Sequence, residues 1–306
     1  MPKVSIVLPS YNGARFLAQS VNSVIEQSLR DWELIVVNDC STDNTAEIAE
    51  QFAKKDARIR LINNPCNRKL PASLNIGFSQ AQGKYLTWTS DDNLFKPDAL
   101  AKLAQHLDEH PQTAMAVMNM DIVDEDGLKL REFEDEFRFR RCAASLMHNC
   151  NVGAAFMYRR EIADKIGGYN EERFCAEDYD YWCRIALAGN IDYLKDNIYA
   201  YRLNGMSLSA KRKQEVAWQT LQVKLQYAEA FFAKFGYTEE DKAKFWFHTL
   251  KVRRPAAYRR YYPRLRLQRL LAQVISAAVF WSKPQRQSIR RIITGGDNYS
   301  FSQIKG

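Results

Sequence analysis

The chain is predicted to be an α/β protein: a mostly parallel sheet flanked by helices, followed by a basic, largely helical C-terminal extension. Three observations predict this. Short β-branched runs alternate with stretches of helical periodicity through the first 90 residues. The last of those runs, Lys84-Tyr85-Leu86-Thr87-Trp88-Thr89-Ser90, ends in the adjacent carboxylates Asp91 and Asp92. Charge also divides: residues 1–209 carry 24 Lys+Arg against 30 Asp+Glu, and residues 210–306 carry 20 against 6.

Val4 to Leu8 reads as a strand, broken by Pro9-Ser10-Tyr11-Asn12-Gly13. Phe16, Leu17, Val21, Val24 and Ile25 then recur at helical spacing. Glu33 to Asn38 is a buried strand stopped by Asp39, and residues 41–45 supply capping side chains for a helix through about Lys54. Ile59 to Ile62 is a third strand, Leu70 to Gln80 a third helix and Tyr85 to Ser90 a fourth strand. This alternation implies parallel strands with right-handed crossovers. Further on, Ala114 to Asp121 is an apolar strand, residues 132–141 read as an exposed charged loop, and residues 151–160 read as a strand leading into a helix. Glu177-Asp178 opens another helix, with Tyr181, Trp182, Ile185, Ala186 and Leu187 behind it.

Composition excludes several classes. The six cysteines form no CxxC pair, which argues against a zinc cluster or a disulfide frame. No GxGxxG or GxxxxGK[ST] follows the first strand, so neither a dinucleotide fingerprint nor a P-loop is present. Met1-Pro2-Lys3 leads directly into a strand, with no secretory signal, and a cytoplasmic setting is expected. The net charge of +8 resides in the tail, so the chain as a whole is not expected to bind nucleic acid.

Open α/β sheets bind ligands at the carboxyl ends of their strands. If the first and fourth strands are neighbours, Ser10-Tyr11 and Asp91-Asp92 flank one crevice and Asp39 lines it. Two adjacent acids call for a cation, and a hard divalent ion with oxygen ligands fits. The alternatives are a solvated Asx turn at Asp92 or Asn93 and a capping role for Asp39. The turn after the first strand offers an aromatic ring and short polar groups suited to a nucleotide base.

The residues Val4-Ser5-Ile6-Val7-Leu8-Pro9-Ser10-Tyr11-Asn12, Val37-Asn38-Asp39-Cys40-Ser41-Thr42-Asp43, Asn75-Ile76-Gly77 running to Gly83-Lys84-Tyr85, Ser90-Asp91-Asp92-Asn93 and Ala176-Glu177-Asp178 together resemble the family 2 glycosyltransferases. The resemblance covers about residues 3–209. It implies a Rossmann-like sheet (the A-type glycosyltransferase fold), a nucleotide-sugar donor, Mn²⁺ or Mg²⁺, and sugar transfer with inversion. It places Pro9, Ser10, Tyr11 and Asp39 around the base and ribose, Asp91 on the ribose and Asp92 on the metal. Asp39 would accept from a base N–H, which favours uridine. Arg68 and Lys69 would meet the diphosphate or base, or stand as ordinary solvated charges.

Glu177 and Asp178 sit at a helix N-terminus, where the macrodipole favours ionised acids. The family motif places the general base at Asp178, with Glu177 as an acceptor-binding or orienting neighbour; capping is the plainer role for the pair, and Asp180 is the fallback base. Two departures stand out. Ser90 replaces the first acid of an Asp-x-Asp triplet, and Asn204 stands where many relatives have a histidine in a Tyr-Arg-x-His segment, leaving a carbonyl oxygen to offer the metal. In the tail, residues 253–269 hold seven arginines among tyrosines and leucines, and the twelve residues 270–281 are nearly apolar, too few to span a bilayer. An anionic membrane surface is the expected partner, with docking on the catalytic body the alternative.

The expected organisation is therefore a nucleotide-sugar-binding catalytic domain at 1–209 and a helical region at 210–306, peripheral at the inner face of the cell membrane. The expected function is transfer from a UDP-sugar to a glycan or lipid-linked acceptor in surface polysaccharide synthesis. A sugar-phosphate nucleotidyltransferase and a non-catalytic nucleotide- or sugar-binding subunit are the alternatives.

Overall fold

The computed structural model describes residues 1–133, 143–148, 150, 152–205, 211–238, 241, 242, 245 and 249. The chain divides into two compact units, Met1–Gly236 and Tyr237–Gly306. The arginine-rich and apolar stretches at 253–281, and most of the charged run at 132–141, lie outside the described residues.

Among the described residues of the first unit a nine-stranded sheet forms the centre. Its strands are β1 (Val4–Ser10), β2 (Trp32–Asn38), β3 (Ile59–Asn63), β4 (Tyr85–Trp88), β5 (Leu94–Phe95), β6 (Thr113–Val123), β7 (Lys129–Glu132), β8 (Phe156–Arg159) and β9 (Asn190–Arg202). The order is β3-β2-β1-β4-β8-β6-β9-β5, with β7 paired to β6. β1, β2, β3 and β4 are parallel neighbours, as the alternation implies. β8 runs antiparallel between β4 and β6, so β6 and its parallel partner β9 regain the direction of β4.

The helices are α1 (Leu17–Ile25), α2 (Thr45–Lys55), α3 (Lys69–Ser79), α4 (Ala99–Glu109), α5 (Arg160–Ile166), α6 (Glu177–Ala188) and α7 (Lys213–Phe235). Every residue of β1 and β2 is buried, which is why these strands read as unbroken apolar runs. On one side Leu17, Val21 and Val24 of α1 and Leu100, Leu103 and Leu107 of α4 close the core. On the other, Gly77 of α3 lets the helix approach β1 so closely that a Cβ would stand 2.4 Å from Val7.

Two features depart from the sequence pattern. The sequence pattern assigns no element to β9, whose apolar alternation breaks at Asp192, Lys195, Asp196 and Asn197 and whose pairing with β6 shifts register between Tyr193 and Tyr199. The first compact unit also continues past residue 209 through α7, which packs on α6: Tyr227 Oη donates to Asp180 Oδ1 at 3.0 Å and Lys234 Nζ to the Ala186 carbonyl at 2.7 Å. Among the described residues no helix is long and apolar enough to cross a membrane.

Candidate active site

The strand register aligns the site. Ser10, Asn38 and Asn63 stand side by side at the ends of β1, β2 and β3. β1 and β4 pair Val7 with Trp88, so three residues further on Ser10 comes level with Asp91. There the Ser10 hydroxyl donates to Asp91 Oδ2. Gly13 lies against the same carboxylate: a Cβ at that position would sit 1.9 Å from Asp91 Oδ2. Pro9 is buried within β1 opposite Val37, and Tyr11 is 52% exposed, its ring open to a planar ligand.

Asp39 is buried and held from the far side of the crevice. Its Oδ1 accepts from Asn64 Nδ2 and the Arg68 amide, both at 2.8 Å, and its Oδ2 accepts the Lys69 amide at 2.9 Å. A carboxylate has about four lone-pair sites, so these three bonds leave one on Oδ2. Helix capping is not its work: Asn38 Oδ1 takes the Ser41 amide, and Asp43 Oδ1 takes the Thr45 amide, each at 3.1 Å. Arg68 and Lys69 are exposed, and their backbone amides rather than their cations hold Asp39. The Lys69 ammonium lies 5.1 Å from the centre of the Phe174 ring, three residues before Glu177.

The acidic turn after β4 is braced by β9. Asp92 Oδ1 accepts from Ser90 Oγ at 2.5 Å and Oδ2 from Asn204 Nδ2 at 2.7 Å. Arg202 is buried beneath: its Nε donates to the Asp92 carbonyl at 2.8 Å, its guanidinium also reaches Gln19 and the Glu125 carbonyl, and it lies 4.4 Å over the Phe16 ring. Asn64 is not marked by the sequence pattern, and Arg202 is marked only as the arginine of the Tyr-Arg-x-His segment, with no role read for it. Burial, with the Asp92 charge adding, pushes Asp91 up to about 7 against the pull of the Ser10 bond.

Each Asp92 oxygen keeps a lone pair for a cation, and Asn204 adds a carbonyl oxygen nearby. Among the described residues no group of three or more His, Cys, Asp or Glu is placed to cage a metal. One or two carboxylates completed by ligand phosphates and water is the pattern of an Mg²⁺-type site, so the residues fit the expected ion.

The acids of α6 behave differently from the sequence expectation. The macrodipole is expected to keep them ionised; burial outweighs it and pushes Glu177 up to about 8, with the Asp178 charge adding, and burial also raises Asp178. Asp178 Oδ1 accepts the Tyr179 amide at 2.6 Å. Asp180, the fallback base, is buried between Arg184 and Tyr227, where it ties α6 to α7. Burial first, then the charges of Asp92 and Asp178, raise the Tyr201 phenol, which places that ring within the field of both acids. Among the described residues, Asn12, Cys40 and Cys175 have positive φ in the loops around these groups, and Lys69 has it at the start of α3.

The family model described as Glycosyl transferase family 2 matches residues 5–167. EpsE of Bacillus subtilis, described as a glycosyltransferase, is 34% identical over 205 residues, 66% of this chain and 73% of its own. Among solved structures, TarS of S. aureus superposes with a TM-score of 0.62 at 20% identity, over 81% of this chain; the match spans 43% of that TarS chain. The mannosyltransferase PcManGT of Pyrobaculum calidifontis gives 0.61 at 19% identity, over 94% of this chain and 83% of its own.

Proposed function

The chain belongs to glycosyl transferase family 2, and from that premise we propose that it is an inverting enzyme moving a sugar from a nucleotide sugar, a UDP-sugar by preference, to a hydroxyl of a glycan or lipid-linked acceptor. The observation that carries this reading is the meeting of Asp39, Asp91 and Asp92 at the carboxyl edge of β1, β2 and β4, with Ser10 and Asn204 bonded to the two acids of the turn.

In this reading the Tyr11 ring packs on the base, and the free lone pair of Asp39 Oδ2 accepts a base N–H, which a uracil supplies. Ser10 fixes Asp91 to accept from the ribose. Asp92, with Asn204 beside it, holds Mn²⁺ or Mg²⁺, which when bound neutralises charge on the diphosphate. Asp178 takes the proton of the acceptor hydroxyl as that oxygen bonds to the anomeric carbon, and the bond from that carbon to the diphosphate oxygen breaks. Attack opposite the leaving group inverts the centre. The nucleoside diphosphate leaves with the bonding pair.

The relatives support the context. TarS has been crystallised with UDP and with UDP-GlcNAc, and PcManGT with GDP-Man and Mn²⁺. TuaG of Bacillus subtilis is named for teichuronic acid biosynthesis. Envelope polysaccharide synthesis, with the basic C-terminal region resting on an anionic membrane, is the setting this reading gives the enzyme.

Calorimetric titration with UDP, GDP and dTDP, each with and without Mn²⁺, tests this reading. Metal-dependent binding of UDP alone is the expected result; binding of GDP or dTDP instead replaces the donor assignment. No binding to any of the three replaces it with a non-catalytic subunit.

A further inference from the structure

Glu177 and Asp178 are adjacent carboxyls at the start of α6, and neither forms a salt bridge among the described residues. Glu177 is 4% exposed, and its Oε2 is buried with no hydrogen-bond partner among the described residues. An ionised carboxylate oxygen in that position would have neither water nor a donor to replace it, whereas the same oxygen in a neutral carboxyl forfeits far less. A second negative charge next to Asp178 adds repulsion.

No described cation pairs with Glu177: Arg173, four residues before it, donates to Gln219 and Gln226. Cys175 lies two residues before Glu177, and burial raises its thiol to about 12. Asp178 acts on Cys150 ahead of β8, Tyr169 after α5 and Tyr201 on β9, all raised by burial and so neutral at pH 7. The cations nearby are otherwise engaged: Lys224 Nζ donates to the His148 carbonyl at 2.8 Å, Arg212 pairs with Glu215 at 2.7 Å, and Lys69 lies over Phe174. The amides of Cys175, Ala176 and Glu177 favour the ionised form of Glu177 without outweighing its burial.

We infer that Glu177 keeps its proton in the working site and acts as the neutral partner of Asp178, so that the pair carries a single negative charge placed on the residue that accepts the acceptor's proton. Glu177 is then a positioning residue. This rests on the assignment of Asp178 as the base, and it explains why an acid can stand buried beside that base without a cation. An ionised Glu177 would put a second negative charge beside Asp178 and make that residue hold its proton more tightly.

The test is infrared spectroscopy of the full chain at pH 7 in ²H₂O, comparing wild type with Glu177→Gln and with Asp91→Asn, which controls for Asp91, another carboxyl raised by burial. The expected result is a protonated-carboxyl C=O band lost in Glu177→Gln and retained in Asp91→Asn. Superimposable wild-type and Glu177→Gln spectra in that region overturn the inference. Should Glu177→Gln fail to fold, carbon-13 NMR of wild-type protein labelled at the glutamate carboxyls decides: one signal still at its protonated position at pH 7 supports the inference, and full ionisation of all glutamates by pH 6 overturns it. Neither measurement uses sugar transfer. An active Asp178→Asn protein would remove the base assignment separately.

Discussion

Asn204 Nδ2 donates to Asp92 Oδ2 across 2.7 Å, joining the segment after β9 to the acidic turn after β4. The side chain that stands where the family resemblance implies a histidine therefore touches the carboxylate proposed to hold the metal. Imidazole is a better ligand for transition ions than for Mg²⁺. Asn204→His should tighten Mn²⁺ binding about tenfold in the presence of nucleoside diphosphate, with a smaller change for Mg²⁺. Titration calorimetry reads both, and equal affinities for wild type and variant would place this segment outside the metal shell.

Gly13 is required by space. A Cβ there meets Asp91 Oδ2 at 1.9 Å and Ser10 Oγ at 2.5 Å, so Gly13→Ala must push the carboxylate off its serine. Because α1 and β1 keep their packing, the expected cost falls on the site: nucleotide affinity drops about tenfold or more while the melting temperature moves little. Parallel binding and melting curves check this, and full affinity in the variant would show that Asp91 does not touch the donor.

How much of the site is legible in the sequence follows from where each group sits. Ser10, Asp39, Asp91 and Asp92 terminate short β-branched strands whose apolar runs are plain in the sequence, and parallel alternation places all such ends on one edge. Asn64 carries no such mark, and Arg202 has only its place in the Tyr-Arg-x-His segment. Each works by filling the geometry of another element's turn, and a buried Arg in sequence looks like any surface Arg until β9 is placed. β9 itself escapes because its register shifts spoil the period-2 pattern. The electrostatics of Glu177 are hidden for a related reason: the helix terminus is visible in sequence and the depth of its burial is not.

Asp178→Asn removes the proposed base without touching the nucleotide pocket. Transfer should fall by about 10²–10⁴ with donor affinity retained. In wild type, burial keeps Asp178 protonated to a higher pH than an ordinary carboxyl, so kcat/KM should decline on the acid side at a correspondingly higher pH. A pH–rate profile flat down to pH 4 would remove Asp178 from that role.

The arginines and tyrosines of 253–269 and the apolar stretch that follows are proposed to hold the protein on anionic lipid. Deletion from Arg253 should release the chain from vesicles containing phosphatidylglycerol, measured by co-sedimentation at low and high salt. Undiminished sedimentation of the truncated chain would move the contact to the catalytic body.

Glu177→Gln should change how stability depends on pH. Below the ordinary glutamate value of 4.5 both folded and unfolded chains hold this proton, and it contributes nothing to the balance. Between 4.5 and about 8 the unfolded chain releases it while the folded chain keeps it, so wild type loses stability as pH rises through that window. Glutamine has no proton to release. The variant should therefore gain on wild type progressively from pH 5 to pH 8, by roughly 1–3 kcal/mol at the upper end, since a tenfold difference in proton affinity between the two states is worth about 1.4 kcal/mol. Paired denaturant titrations at pH 5, 6, 7 and 8 measure the difference. A gap that stays constant with pH would mean that Glu177 ionises as readily in the fold as in the unfolded chain, and the burial of its unpartnered oxygen would then need another explanation.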